Sequence, residues 1–402
     1  MRGPLVVIAT HPVQYHAPVY REVQRLGLPV TVVYGSDFSV AGYRDAEFGT
    51  TFAWDTDLLS GYTPVFLARE GGGDGAPEAL RAGGLRAAVE KACPAAILLT
   101  GYGLRFHRAA WRAARQTGCP LLLRGETTDH AVVRSPWKAA ARDAWLRRQY
   151  AVLGGALYIG HRSQQHYERL GVPRERMTFS PYCVDVRPFR PSERDRAALR
   201  GPTRAALRIP EGRVVLLYSG KLSERKGVDL VPEAVAQLPA DVRERITVLW
   251  LGDGALRGPL EARAEALGLD VRFVGFQPQR ALSPYYHAGD ALVLPSRRGE
   301  TWGLVVNEAL HHGLPCVTTE QVGSVPDLVV PGETGEVVSA DSAPALAYGL
   351  SRGLAWWRDD PAVRARCRAQ VEPYSVEAAA RGVVSAFESA LSSQWSTQRA
   401  LA

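Results

Sequence analysis

Short apolar runs recur along the whole chain, separated by stretches with helical spacing, and this alternation narrows the possible folds more than any other feature. In the first half, Leu5 to Ala9, Val30 to Tyr34, Ala96 to Thr100, Pro120 to Arg124 and Ala156 to Gly160 read as strands. Helical stretches such as Leu104 to Thr117 and Trp137 to Val152 lie between them. A run that stays apolar suits a strand buried on both faces, and strand–helix alternation implies a parallel sheet covered by helices on both sides. Between Pro181 and Pro210 the pattern breaks into a segment rich in Pro, Arg and Asp, read as a linker and domain boundary. A second series follows at Val214 to Ser219, Ile246 to Leu251, Val271 to Val274, Ala291 to Leu294, Cys316 to Thr319 and Glu336 to Val338. The expected fold class is therefore α/β, with two Rossmann-like doubly wound domains in tandem over residues 1–185 and 186–374. The segment Ser375 to Ser392, with Ser375 as N-cap, falls outside the series, and 375–402 is expected to pack back across the first domain.

A chain of 402 residues is long enough for two cores, and 46% hydrophobic with 22% charged residues is the balance of a globular enzyme. The five cysteines, at 93, 119, 183, 316 and 367, are scattered and form no C-x-x-C pair, so reduced thiols are expected rather than a disulfide framework or zinc site. The first apolar run reads as a buried strand rather than a signal peptide, and no window approaches the roughly 18 apolar residues of a spanning helix. A cytoplasmic protein is expected. The formal charge of +7 favours an anionic partner such as a nucleoside diphosphate, an acidic membrane surface or nucleic acid. Nucleic acid is not predicted, because no aromatic-basic module is present. Trp137 to Tyr150 carries Trp137 and Trp145 with Lys138, Arg142, Arg147 and Arg148, a set that suits peripheral contact with an anionic bilayer. The preferred reading is a helix packed through its tryptophans with its charges in water. Gly71 to Gly75 reads as a surface loop, and Asp55-Thr56-Asp57 as a surface turn rather than a metal site.

The chemistry concentrates in GETWGLVVNEALHHGLP, residues 299–315. Its helix is expected to begin near Gly303 and to stop at Gly313 and Pro315, with exposed N–H groups and a positive dipole end suited to phosphate or hydroxyls. Glu300 lies in the turn before it, at the carboxyl end of a strand, and Glu308 lies inside it. In SGKLSERKG, residues 219–227, Gly220, Lys221 and Lys226 follow the first strand of the second series, where a βα turn holds pyrophosphate. Gly252, Asp253 and Gly254 end the next strand with residues that permit close backbone approach, and Phe276 ends the one after, placed to border a nucleobase.

Together these stretches resemble the retaining glycosyltransferases of family 4, with the GT-B fold of two Rossmann-like domains facing across a cleft. The resemblance implies that Glu300 sits by the donor sugar, aided by backbone amides of Thr301, Trp302 and Gly303, and that Glu308 binds the nucleotide ribose. It also implies transfer with retention of configuration, the leaving phosphate serving as base; with Asp55-Thr56-Asp57 read as a surface turn, metal-independent transfer and no tightly bound cofactor are expected. The sequence departs from the family where Lys221 replaces a usual arginine, and where THPVQYHAP replaces a Gly-rich loop and offers His11, Tyr15 and His16 to the acceptor. Where a histidine is often found the chain reads RGETTDH, making Glu126 and His130 the catalytic candidates on the acceptor side. The expected reaction moves a sugar from a UDP- or GDP-linked donor to a hydroxyl of a glycan, lipid-linked sugar or small natural product. The alternatives are a nucleotide-sugar 2-epimerase and a non-catalytic sugar-nucleotide-binding protein.

Overall fold

The computed structural model describes residues 3–44, 51–52, 56–69, 77–130, 132, 134–357 and 359–401. The first series gives β1 (Leu5–Ala9), β2 (Val30–Tyr34), a short hairpin of β3 (Tyr43–Arg44) and β4 (Thr51–Phe52), then β5 (Thr63–Phe66), β6 (Ala96–Leu99), β7 (Leu121–Arg124), β8 (Gly155–Tyr158) and β9 (Met177–Phe179). Seven of these form a parallel sheet in the order β5-β2-β1-β6-β7-β8-β9. Because side chains alternate along a strand, β1 feeds two cores: Leu5, Val7 and Ala9 enter one, Val6 and Ile8 the other. The first is closed by the helices Ala17–Arg25 and Val376–Leu401, the latter contributing Ala379, Ala380, Val383, Ala386, Phe387 and Ala390, an apolar stripe at helical spacing. The C-terminal helix thus crosses back to the first sheet, as expected, and the amide of Ala378 donates to Ser375 Oγ at its start.

The second series gives β10 (Val214–Ser219), β11 (Ile246–Leu251), β12 (Asp270–Gly275), β13 (Ala291–Leu294), β14 (Cys316–Thr319) and β15 (Gly335–Val338), in a parallel sheet ordered β12-β11-β10-β13-β14-β15. In each sheet the strand order reverses beside one central strand, between β1 and β6 and between β10 and β13. The crevice outside the carboxyl ends at such a reversal is where α/β sheets take ligands. The chain therefore opens two crevices, one past Ala9 and Leu99, the other past Ser219 and Leu294.

Three expectations need correction. The segment between Pro181 and Pro210 is not a linker throughout, since Glu193–Ala206 is a helix with Ser192 as cap, Ser192 Oγ accepting from the amide of Asp195. Arg196, Arg200 and Arg204, one turn apart on its face, gather on Asp290 of the second domain, the last two at 2.5 and 2.6 Å. Both edge strands of the first sheet, β5 and β9, carried no strand signal. The helix Pro136–Tyr150 is not packed through both tryptophans, since Trp145 packs inward against Tyr102 but Trp137 is 70% exposed. Residues 71–75 and Asp55 lie outside the described residues, and Asp57 Oδ1 accepts from the amides of Leu59 and Ser60, which makes a turn. All five thiols are free, with Cys183, Cys316 and Cys367 buried and Cys93 exposed. No described helix is long and apolar enough to cross a membrane.

Candidate active site

On the second sheet, the loops after β10 and β11 lock together through their backbones. The Leu222 amide donates to the Asp253 carbonyl at 2.9 Å and the Leu256 amide to the Leu222 carbonyl at 3.0 Å. Gly252 has φ 145°, and a Cβ there would lie 1.9 Å from the Gly220 carbonyl oxygen, so only glycine fits. The Asp253 carboxylate is used inside this turn, accepting from the Gly254 amide at 2.8 Å and from Arg257 at 3.1 Å. Phe276 follows Gly275, whose backbone pairs with Gly252, and is 37% exposed. Tyr218 Oη donates to the Lys221 carbonyl at 2.7 Å, fixing the chain direction where Lys221 leaves the strand.

Lys226 and Glu300 meet beyond the carboxyl end of β13. Lys226 Nζ donates to Glu300 Oε2, and Ser296 Oγ donates to the same oxygen at 3.0 Å. Only 15% of the lysine side chain and 11% of the glutamate side chain are exposed, so this is a protected ion pair. The turn that follows is pinned from outside, the Glu300 carbonyl accepting from the Gly323 amide at 3.0 Å and the Trp302 carbonyl from the Ser324 amide at 2.9 Å. Gly303, at φ 91°, ends the turn and starts the helix Leu304–His311. Among the described residues the amides of Thr301, Trp302 and Gly303 donate to no protein acceptor, which leaves a cluster of N–H groups at a helix N-terminus. The Trp302 side chain turns away into the seam between the domains, its Nε1 donating to Asn307 Oδ1 at 2.8 Å. Glu308, 7% exposed, accepts from Tyr286 Oη at 2.5 Å, and burial pushes its carboxyl up to about 7.

On the first sheet, the carboxyl ends of β1, β6 and β7 surround a cavity of about 500 Å³, and Thr301 of the second domain forms part of its wall. His11, Tyr15, His16 and Glu126 all line it, so four of the five acceptor-side candidates converge. The Glu126 side chain is 38% exposed toward this space, yet the surrounding protein raises its pKa above the usual carboxylate range. Tyr182 Oη donates to Glu126 Oε1, and His16 Nε2 stands 3.9 Å from the same oxygen. Burial lowers His11 to about 4 and holds His16 well below its ordinary value, so both rings are neutral near pH 7. His130 is exposed and does not line the cavity. Its neighbour Asp129 faces the other way, bonded to His166 at 2.8 Å and to Arg169 at 2.8 Å.

Several residues of the site escaped the sequence reading. Tyr182 lies in the segment taken for a linker, and His107 is one polar position of an amphipathic helix, so neither stands out locally.

Two doubly wound parallel sheets whose strand ends share one cleft define a GT-B protein. The chain superposes on the UDP complex of Anabaena Alr3699/HepE with a TM-score of 0.71 at 16% identity, covering 96% of this chain and 100% of that one. Sucrose-phosphate synthase from Thermosynechococcus elongatus gives 0.70 at 20% identity, covering 98% and 100%. At such identities the likeness is one of fold. Residues 200–373 match the family model of glycosyl transferases group 1. D-inositol 3-phosphate glycosyltransferase 1 of Catenulispora acidiphila is 32% identical over 239 residues, 56% of this chain and 54% of that protein. Alpha-D-kanosaminyltransferase of Streptomyces kanamyceticus is 34% identical over 186 residues, 44% of this chain and 46% of that protein. The chain thus spans about half the length of the curated relatives it matches.

Proposed function

We propose that this protein is a retaining glycosyltransferase that moves a sugar from a UDP- or GDP-linked donor to a hydroxyl acceptor. One observation carries the reading: Thr301, which follows Glu300 and opens the amide-rich turn, lines the cavity that also holds Glu126 and His16. A sugar held at Glu300 therefore faces an acceptor held against Glu126. Negative charge grows on the β-phosphate as its bond to the anomeric carbon breaks, and the amides of Thr301, Trp302 and Gly303 with Lys221 and Lys226 stabilise it. Glu308 takes the ribose hydroxyls, and Glu300 orients the sugar. The acceptor oxygen bonds to the anomeric carbon from the face the phosphate leaves, and its proton passes to that phosphate. Glu126 and His16 orient the acceptor hydroxyl. The names of the relatives span a phosphorylated cyclitol and a kanosaminyl transfer, so they do not fix the acceptor.

Glu300→Gln keeps an oxygen for Lys226 and Ser296 but removes the charge. Thermal stabilisation by nucleotide sugar should survive, while nucleoside diphosphate release with acceptor falls by roughly 100-fold or more. Full turnover in this variant removes Glu300 from the mechanism. For the wild type, an inverted anomeric product by NMR ends the retaining assignment. An epimer formed from donor alone shows an epimerase, and donor binding without release under any acceptor shows a binding protein.

A further inference from the structure

We infer that the cavity on the first sheet selects a small polyol acceptor, uncharged or bearing an amine, and discriminates against phosphorylated ones. This rests on the proposed glycosyl transfer and names its acceptor class. Of the charged side chains among the described residues lining the cavity, two are carboxylates, Glu78 and Glu126, and one is a guanidinium, Arg134. No lysine lines it. The three histidines on the wall add no cation, because burial lowers His11 and His107 to about 4 and His16 well below its ordinary value.

Nearby guanidinium groups are committed elsewhere. Arg124 donates to Ser180 Oγ at 2.9 Å and to the Pro181 carbonyl at 2.7 Å, under the Tyr182 ring. Arg142 donates to Tyr102 Oη at 2.7 Å and to Asp129 at 3.3 Å. The helix Arg105–Gln116 starts at this wall, where the Leu104 amide donates to His107 Nδ1 at 3.4 Å.

A phosphate ester brought here would lose its hydration beside Glu78 and a Glu126 whose pKa burial raises, with a single cation to meet it, whereas an anion needs several charge-assisted donors to offset that loss. Sugar hydroxyls donate and accept at once, and so do neutral imidazoles and the hydroxyls of Thr127, Thr128 and Thr301 on the same wall. An amine is matched by Glu78 and Glu126. Basic groups and free amides stand instead at Lys226 and the turn after Glu300, so the cleft separates its anion-binding side from its polyol-binding side. About 500 Å³ is the size of a small-molecule site.

The test uses the full chain with the nucleotide sugar that stabilises it most. A cyclitol, a hexose and an amino sugar are each compared with their monophosphates by kcat/KM for nucleoside diphosphate release. Each unphosphorylated acceptor should exceed its phosphate by about tenfold or more. Preference for the phosphates overturns the inference, as does donor binding and Glu300-dependent donor breakdown with no polyol accepted; in both cases the donor reading stands. Absence of any donor stabilisation sinks the transferase reading and this inference with it. Glu78→Lys should move the ratio toward the phosphates, and an unmoved ratio overturns the electrostatic basis of the selection.

Discussion

Glu308 sits a turn and a half inside its helix, where the hydroxyl of Tyr286 is its hydrogen-bond donor and protein replaces water. The folded carboxyl titrates at about 7 against an ordinary 4.5, so its charged form is the disfavoured one. Below pH 4.5 both folded and unfolded chains hold the proton and nothing is lost. Between 4.5 and 7 the unfolded chain ionises first, and stability falls as pH rises, reaching a cost of roughly 3 kcal/mol above 7. Glu308→Gln removes this titration. The variant should be more stable than the wild type at pH 8 by up to that amount and show no gain at pH 4.5, read by urea denaturation at both values. An equal difference at both pH values would mean that packing, not ionisation, sets the effect. A ribose diol donating to the carboxylate favours ionisation, so a cost in the empty protein becomes binding free energy when nucleotide arrives. Spacing in the sequence was enough to single out Glu300, Glu308 and Lys226. That Lys226 already holds Glu300 was not legible, because the pair is made across two βα loops that only the closed sheet brings together.

The two loops after β10 and β11 act as one element, since each supplies the backbone acceptors of the other. Gly252→Ala puts a Cβ 1.9 Å from the Gly220 carbonyl at a φ that side chains avoid, so both loops must move. We expect a loss of roughly 2–4 kcal/mol and a much smaller thermal shift with nucleotide. Gly258 serves as the control, because its Cβ would meet nothing within 4 Å and it lies in the helix Arg257–Ala266. Gly258→Ala should be neutral or stabilising by about 0.5–1 kcal/mol. Equal behaviour of the two variants would show that the interlocked loops tolerate displacement. The central strands of both sheets were readable because they stay apolar over their whole length, as burial on both faces demands. The edge strands were not, since Thr63–Phe66 contains Pro64 and Met177–Phe179 is three residues long. The helix Glu193–Ala206 was hidden by Pro202 within it and prolines on both flanks, and its stability comes from Asp290, distant in sequence.

At the scale of the whole molecule, Thr301 of one domain closes part of a cavity wall that the other domain otherwise forms. The seam that holds it there joins buried Ile159, Tyr182 and Val184 to the core of the second domain, and Arg162 Nη2 donates across it to the Glu320 carbonyl at 2.5 Å. The Trp302 ring packs on Gly160, where a Cβ would lie 2.4 Å from a ring carbon, and Asn307 Nδ2 donates to the Tyr182 carbonyl at 3.3 Å. Beside them Asp327 of the second domain caps the helix His161–Arg169 of the first, its Oδ1 accepting from the His161 amide at 2.9 Å and from Tyr374 Oη at 2.8 Å. Its Oδ2 is buried without a partner, and burial raises its pKa despite the favourable helix end. Asp327→Ala removes the cap and both bonds, a loss of about 0.5–2 kcal/mol, and frees the domains to separate. None of these groups touches the loops after β10 and β11, so affinity for nucleotide should change less than about twofold. Turnover depends on Thr301 meeting the acceptor wall and should fall by about tenfold or more, with a larger radius of gyration in solution scattering. Asp327→Asn keeps the accepting oxygen and should restore most of the turnover. If alanine leaves turnover and scattering unchanged, the other contacts of the seam, those of Trp302, Asn307 and Arg162 among them, suffice to hold the domains, and the cap is a local matter of one helix.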